Sequence, residues 1–157
     1  MASPTATDKM LSSLLIQQWD HDPGTTAATI TTPDGGTTVR AVDMRDYSNF
    51  AAACFTTVLG GNGPTLLEIV ASDSSDMSTN VTQIKTSGTI AADALADWAI
   101  VSCTAAEVAQ EGSDAGVDLR YVAARITCHH SGDEAVVTYI AIPNNPNLDL
   151  TPATTIA

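Results

Sequence analysis

The sequence predicts a mainly β protein, built as a β-sandwich or a jelly-roll, with a short N-terminal helix and one or two further short helical segments. Segments rich in β-branched residues alternate with turn sequences roughly every 10–15 residues. No strand-like segment is followed by a full amphipathic helix, which argues against an α/β fold. The 157 residues suit one β-rich domain over 25–142, flanked by an N-terminal arm or helix (1–24) and an extended C-terminal arm (143–157).

The first predicted element is a helix over residues 8–19, DKMLSSLLIQQW. Its apolar residues follow helical spacing at Met10, Leu11, Leu14, Leu15 and Trp19. Asp22-Pro23-Gly24 then ends the element. Such a helix most simply packs on the core of its own domain. In the alternative interpretation, its apolar residues contact a partner protein, and the candidate contacts are Leu11, Leu14, Leu15 and Trp19.

The next segments are typical of strands. TTAATITT, PDGG and TTVRAV together predict a hairpin over residues 26–42. Residues 49–59 fit a helix or a strand, and the β-branched Thr-Thr-Val near their end favours a strand. TLLEIVA (65–71) predicts a further strand, and SDSSDMSTN (72–80) predicts a polar loop.

Short helical signals interrupt the strands in the second half. Residues 80–90 alternate weakly, AADALAD favours a helical turn, and residues 97–104 predict a buried strand. Thr104 followed three residues later by Glu107 is a capping box, which predicts a short helix that ends at Gly112.

Residues 119–142 predict a second hairpin with the tip CHHSGDE. This tip combines residue types found in metal and catalytic sites. His129 and His130 are neighbours, so in an extended strand their side chains point to opposite sides and do not easily share one metal. A site that adds His21 and Asp20 or Asp22 is an alternative. We interpret the tip as a charged turn, and we predict no catalytic residue, metal or cofactor.

Other candidate groups have simple structural interpretations. Cys54, Cys103 and Cys128 lie within apolar runs, which predicts buried, reduced thiols. SDSSD (72–76) lacks the spacing of a calcium loop, and weak cation binding there is a minor alternative. Arg120 and Arg125 are predicted to donate ion pairs to neighbouring strands.

Charge excludes several classes of function. The chain carries 18 acidic and 6 basic residues, a net charge of −12, and has no basic stripe for nucleic acid or anionic lipid. No apolar run reaches the ~18 residues of a membrane span, and MASPTATDKM lacks the basic start of a signal peptide. We therefore expect synthesis in a cytoplasm, with no nucleic-acid or membrane partner.

Residues 88–142 carry a family resemblance. A strand ending in Thr-Ala-x-Glu is followed by a Gly/Asp spacer, Leu-Arg-Tyr-Val, a further strand, an acidic turn and a final Val-x-x-Tyr-Ile strand. This pattern resembles small virion proteins of tailed bacteriophages, most closely head decoration (cement) proteins. The shared pattern is one of strands, and it carries no catalytic residues to transfer.

The resemblance implies a structural virion protein that is made in the host cytoplasm and stabilises a capsid from outside. Its expected partners are the major capsid protein or other virion proteins, and it is expected to form a homo-oligomer. The terminal arms would help to anchor it, with Leu148 and Leu150 as further candidate contacts. A tail or neck component of the same particle is one alternative. A small cupin-like enzyme or ligand-binding β-sandwich is the other.

Overall fold

The computed structural model describes residues 15–21, 29–30, 41–58, 64–90, 98–128 and 134–144. These residues form nine strands and one helix, so the mainly β prediction is confirmed. The strands are β1 (Leu15–His21), β2 (Thr29–Ile30), β3 (Val42–Asp43), β4 (Tyr47–Val58), β5 (Pro64–Ser72), β6 (Thr82–Thr86), β7 (Trp98–Thr104), β8 (Tyr121–Cys128) and β9 (Glu134–Pro143). The helix α1 (Ala105–Ala115) lies between β7 and β8.

The strands form two antiparallel sheets. The first sheet has the order β1-β9-β4-β7. The second has the order β2-β8-β5-β6, and β3 also pairs with β8. The predicted strands over 49–59 and 65–71 are confirmed as β4 and β5, and residues 73–80 form the predicted loop. The strand predicted over 97–104 is confirmed as β7, but the prediction that it is buried is wrong, because β7 lies at the edge of its sheet and exposes Trp98 and Ile100.

One hydrophobic core lies between the two sheets. It takes alternate residues from β4, β7 and β9 on one side and from β5 and β8 on the other. The Tyr139 ring is fully buried, 5.1 Å from the Phe50 ring, and its hydroxyl accepts a hydrogen bond from the Ala124 backbone N–H at 2.9 Å. Tyr139 lies on β9 and Ala124 on β8, so this bond links the sheets. The arrangement is consistent with a β-sandwich.

Helix α1 begins with the predicted capping box. The Thr104 N–H donates to a Glu107 carboxylate oxygen at 2.8 Å, and the Glu107 N–H donates to the Thr104 hydroxyl at 3.2 Å. Lys85 on β6 binds the same carboxylate at 2.7 Å, and this bond, together with those from Thr104, lowers the pKa of Glu107 to about 2. The predicted end at Gly112 is wrong, because the helix continues to Ala115 and closes at Gly116 in the left-handed conformation, φ 68°.

The prediction of an N-terminal helix is wrong where the structure describes it. Leu15–His21 is strand β1, which pairs with β9 at seven consecutive positions, from Leu15 opposite Ala141 to His21 opposite Ala135. Backbone pairing along the edge of the sheet therefore overrides helical spacing. Residues 1–14 lie outside the described residues, and so does Asp22-Pro23-Gly24, which was predicted to end the helix.

Neither predicted hairpin is present in the described strands. β8 belongs to the second sheet and β9 to the first, so the segment between them connects two sheets rather than two paired strands. In the 26–42 segment, β2 and β3 both pair with β8, one after the other along its edge. The PDGG turn, the AADALAD segment and residues 129–133 lie outside the described residues.

The predicted ion pairs of the two arginines are confirmed. Arg125 on β8 binds Glu68 on β5 through two hydrogen bonds, at 2.7 and 3.0 Å. Arg120 binds both carboxylate oxygens of Asp43 and lies over the Tyr121 ring, 4.9 Å from its centre. The first pair crosses two strands of the second sheet, and the second ties β3 to the start of β8.

Candidate functional site

The first sheet has one side that is not part of the core. Residues on β4, β7 and β9 alternate, so that every second side chain is buried between the sheets and its neighbours point away. We call this second side the outer face. Its described residues are Asn49, Ala51, Ala53, Trp98, Ile100, Ser102, Thr138, Ile140 and Ile142.

The outer face exposes large apolar side chains. The exposed fractions are 61% for Trp98, 57% for Ile100, 41% for Ile140 and 39% for Ile142. Register places Ala51 opposite Ile140 and Ala53 opposite Ile100. The face therefore has a shallow trough of alanines along β4, between higher ridges on β7 and β9. A contiguous apolar surface of this kind marks a contact site for another protein more often than an isolated exposed side chain does.

The described side chains of the outer face carry no charge. None of its nine described residues is ionisable, although Asp, Glu, Lys and Arg make up 15% of the chain and the net charge is −12. The part of this surface that these nine side chains form can approach another protein without burying unpaired carboxylates.

The opposite side of the second sheet is different, because the chain itself covers it. Val70 and Ala123 are fully buried there, beneath Met77 of the 73–80 loop. Met77 is 5% exposed and has φ 56°, a conformation that the loop holds to place its side chain on the sheet. The described residues therefore cover the outward side of the second sheet but leave that of the first sheet open.

The carboxylates of the 73–80 loop bind the loop itself. Asp73 accepts hydrogen bonds from Thr79 at 2.6 Å and Asn80 at 2.7 Å, which lower its pKa. Asp76 accepts from the Ser74 hydroxyl, which is the main cause of its lowered pKa. Among the described residues, no group of three or more histidine, cysteine or acidic side chains is placed to hold a metal ion. The hydrogen bonds give the acids of SDSSD a structural role.

The two described cysteine side chains are part of the core. Cys54 is fully buried and Cys103 is 2% exposed, and both are free thiols. Burial raises the pKa of Cys54 to about 11 and that of Cys103 to about 12. Neither has the thiolate character that a nucleophile needs at neutral pH. The predicted packing role is confirmed for these two, whereas the Cys128 side chain lies outside the described part.

A shallow cavity of about 280 Å³ lies between α1 and the segment before β8. Its rim carries Arg45 and Arg120, which are ion-paired with Asp118 at 3.1 Å and with Asp43, respectively. Small-molecule sites usually enclose roughly 300–1,000 Å³ and present free polar groups to the ligand. The cavity thus gives little support to the ligand-binding alternative.

Most of the predicted contact and site residues fall outside the described residues. This holds for Leu11, Leu14, Leu148 and Leu150, and for His129, His130 and Asp133 of the tip. Leu15 and Trp19 belong to β1, so their backbone is part of the first sheet, and His21 ends the same strand. The structure does not describe the side chains of these three residues. Their contact with a partner stays a prediction.

Sequence reasoning missed the outer face. The signal was present in WAIVSCT, where both sets of alternate residues include apolar side chains, so that apolar groups point to both sides of the strand. Such a strand needs cover on both sides. Here Ala99, Val101 and Cys103 face the core, while Trp98 and Ile100 are exposed.

Comparisons with protein-family models, with curated proteins and with solved structures find no match for this chain. No helix of the described residues is long and apolar enough to cross a membrane. The family resemblance therefore remains a prediction.

Proposed function

We propose that this protein is a structural component of a multi-subunit protein shell, and that it binds the outside of a tailed-phage capsid as a decoration protein through its outer face. The observation that carries this proposal is the exposed apolar surface that Trp98, Ile100 and Ile140 form on the outer face. A chain with a net charge of −12 suits the outside of a capsid better than the lumen that faces DNA.

The size of the apolar contact favours a partner assembly that offers more than one binding contact. Covering the exposed parts of the four large side chains would contribute about 4–8 kcal/mol, from the transfer free energy of apolar surface. Association costs of roughly 4–15 kcal/mol offset most of this gain. One contact is therefore weak, whereas several linked contacts for each copy give firm binding.

The sequence predicted either a β-sandwich or a jelly-roll. The core that the two sheets share supports the β-sandwich. A sandwich suits this role because one sheet can face the shell while the other faces solvent. A tail or neck component would use the same surface, so the fold does not separate these two locations. Density for this protein in a whole-particle reconstruction separates them.

Co-sedimentation with capsids of its own particle tests the proposal. The purified chain should pellet with capsids, and Ile140→Glu should reduce the bound fraction at least tenfold, since it buries a carboxylate in the contact. Val81→Glu is the matched control, because Val81 is 36% exposed and lies outside the outer face. This control should bind like the wild type.

Two results would overturn the proposal. One is a wild-type chain that stays in the supernatant with capsids, tails and intact particles alike. The other is an Ile140→Glu variant that folds and pellets as well as the Val81→Glu control.

A further inference from the structure

The large apolar side chains of the outer face form two walls at opposite corners of that face. The residues of these walls are Trp98 and Ile100 on β7, and Ile140 and Ile142 on β9. The other two corners hold smaller side chains, Ser102 on β7 and Thr138 on β9. The trough over Ala51 and Ala53 therefore crosses the strands obliquely, and it is open at these two corners.

The width of the trough suits an α-helix. Ile100 pairs with Ala53 and Ile140 with Ala51, so two strand spacings and one two-residue step separate the backbones of the two isoleucines. These separations combine to about 12 Å, from the usual spacing and rise of strands. A helix with its side chains is about 10–12 Å across. One helix therefore fits between the walls, with its apolar side chains on the alanines.

The backbone of the trough floor favours a helix over an extended peptide. Ala51 and Ala53 lie on β4, which pairs with β7 on one side and with β9 on the other. The backbone groups of this floor are thus used within the sheet. An extended peptide would cover its own amide groups with apolar side chains and leave them unpaired, whereas a helix pairs these groups internally.

The charges around the trough favour a basic partner. All four basic side chains that the structure describes are in ion pairs: Arg45, Lys85, Arg120 and Arg125. Near the Ser102 end of the trough, α1 follows β7 with the exposed acids Glu111 and Asp114, and exposed Asp46 precedes β4. Glu134 begins β9 at the other end. A helix with Lys or Arg at both ends complements this pattern, and an acidic segment is repelled.

We propose that the trough of the outer face binds an amphipathic helix of a partner protein, with an apolar stripe along the helix and basic residues at both of its ends. A helix of about 15 residues matches the length of β7, about 23 Å, at the usual rise of each element. That the helix belongs to a shell protein rests on the proposed function, whereas the fit of the trough to a helix does not.

A designed peptide tests this fit on the purified full chain, with fluorescence polarisation as the readout. The peptide has about 15 helix-forming residues, with leucines every three or four residues and lysines at both ends. One control peptide has the same composition without the apolar stripe, and a second carries glutamates in place of the lysines. The chain should bind the first peptide at least tenfold more tightly than either control. Equal binding of the first peptide and either control would overturn the proposal.

Ala51→Phe separates binding in the trough from general apolar adhesion. The new ring fills the trough floor, so it should raise the dissociation constant of the peptide at least tenfold, although it enlarges the apolar surface. Val81→Phe adds the same ring outside the outer face and should bind like the wild type. If circular dichroism finds Ala51→Phe unfolded, Ser102→Trp replaces it, since Ser102 is exposed at one opening of the trough. A filled trough that binds the peptide as tightly as the wild type would overturn the proposal.

Failure of this proposal is distinct from failure of the proposed function. A chain that binds the peptide in the trough but never pellets with capsids refutes shell binding alone. If Ala51→Phe pellets with capsids as well as the wild type does, shell binding stands and the helix in the trough is refuted.

Discussion

Replacing Arg125 by methionine removes one partner from the most buried ion pair of the described residues. The Glu68 side chain is 5% exposed and the Arg125 side chain is 26% exposed. Methionine keeps much of the arginine's length and apolar packing, so the main change is that the Glu68 carboxylate loses its guanidinium while it stays away from water. Such a broken buried pair costs about 3–5 kcal/mol.

The burial of the two groups predicts an asymmetry. Glu68→Met leaves an arginine that is one-quarter exposed and can turn its charge toward water, so we expect a smaller loss, about 1–3 kcal/mol. The double variant Glu68→Met/Arg125→Met leaves no buried charge and should lie within about 1–2 kcal/mol of the wild type. The two single losses should therefore not add.

Urea denaturation measures these differences, with thermal unfolding as a second readout. For a chain of this length, a loss of 3 kcal/mol lowers the melting temperature by roughly 6–12 °C. Arg45→Met is the matched control, because the Arg45 and Asp118 side chains are 59% and 82% exposed. An exposed pair contributes about 0–1 kcal/mol. If Arg125→Met costs no more than Arg45→Met, or if Glu68→Met costs as much as Arg125→Met, the reasoning from burial is refuted.

Three further predictions concern α1 and the core. Gly112→Ala should destabilise the fold by about 1–3 kcal/mol in thermal unfolding, although alanine is the better helix former, because the new Cβ would lie 2.6 Å from the Val117 carbonyl oxygen. The Glu107 pKa is lowered from 4.5 to about 2, so its carboxylate stabilises the fold above pH 4.5 and this stabilisation is lost as the pH falls to about 2. The stability difference between wild type and Glu107→Gln should therefore shrink over that range in unfolding measured at a series of pH values. Cys54 and Cys103 should resist alkylation at about pH 8 in the folded chain and react once it is unfolded, as peptide mass spectrometry can show.

Each of these predictions has its own control. Ser113→Ala tests helix propensity at an exposed position of α1, and a Gly112→Ala variant that gains stability would contradict the close approach. Glu111→Gln removes one negative charge from the same helix, and a Glu107→Gln difference that stays constant down to about pH 2 would contradict the linkage. Rapid labelling of either cysteine in the folded chain would contradict its burial.

Local signals located several elements correctly. The capping box at Thr104 and Glu107 placed the start of α1, because its hydrogen bonds join residues only three apart. The β-branched residues near the end of β4 decided between strand and helix for an ambiguous apolar run. Alternation on β8 also separated the buried Val122 and Ile126 from Arg125 on the other side. Each of these features depends on neighbours within a few residues.

Pairing between distant strands decided the features that the sequence did not reveal. Leu15–His21 has helical spacing but is a strand, because β9, more than 110 residues later, offers it an edge. β8 and β9 look like the arms of a hairpin, yet one pairs with β5 and the other with β4. Close spacing in sequence favours a hairpin only when no other partner binds the two strands better.

The sequence by itself determined a mainly β chain, the location of its central strands, the start of α1 and an acidic surface. Tertiary structure decided which strands pair and which side of each sheet is covered. In WAIVSCT, alternation defines two sides, but both carry apolar residues, so the sequence cannot tell which side is the core. The second sheet buries Ala99, Val101 and Cys103, and the described residues leave Trp98 and Ile100 open to another protein.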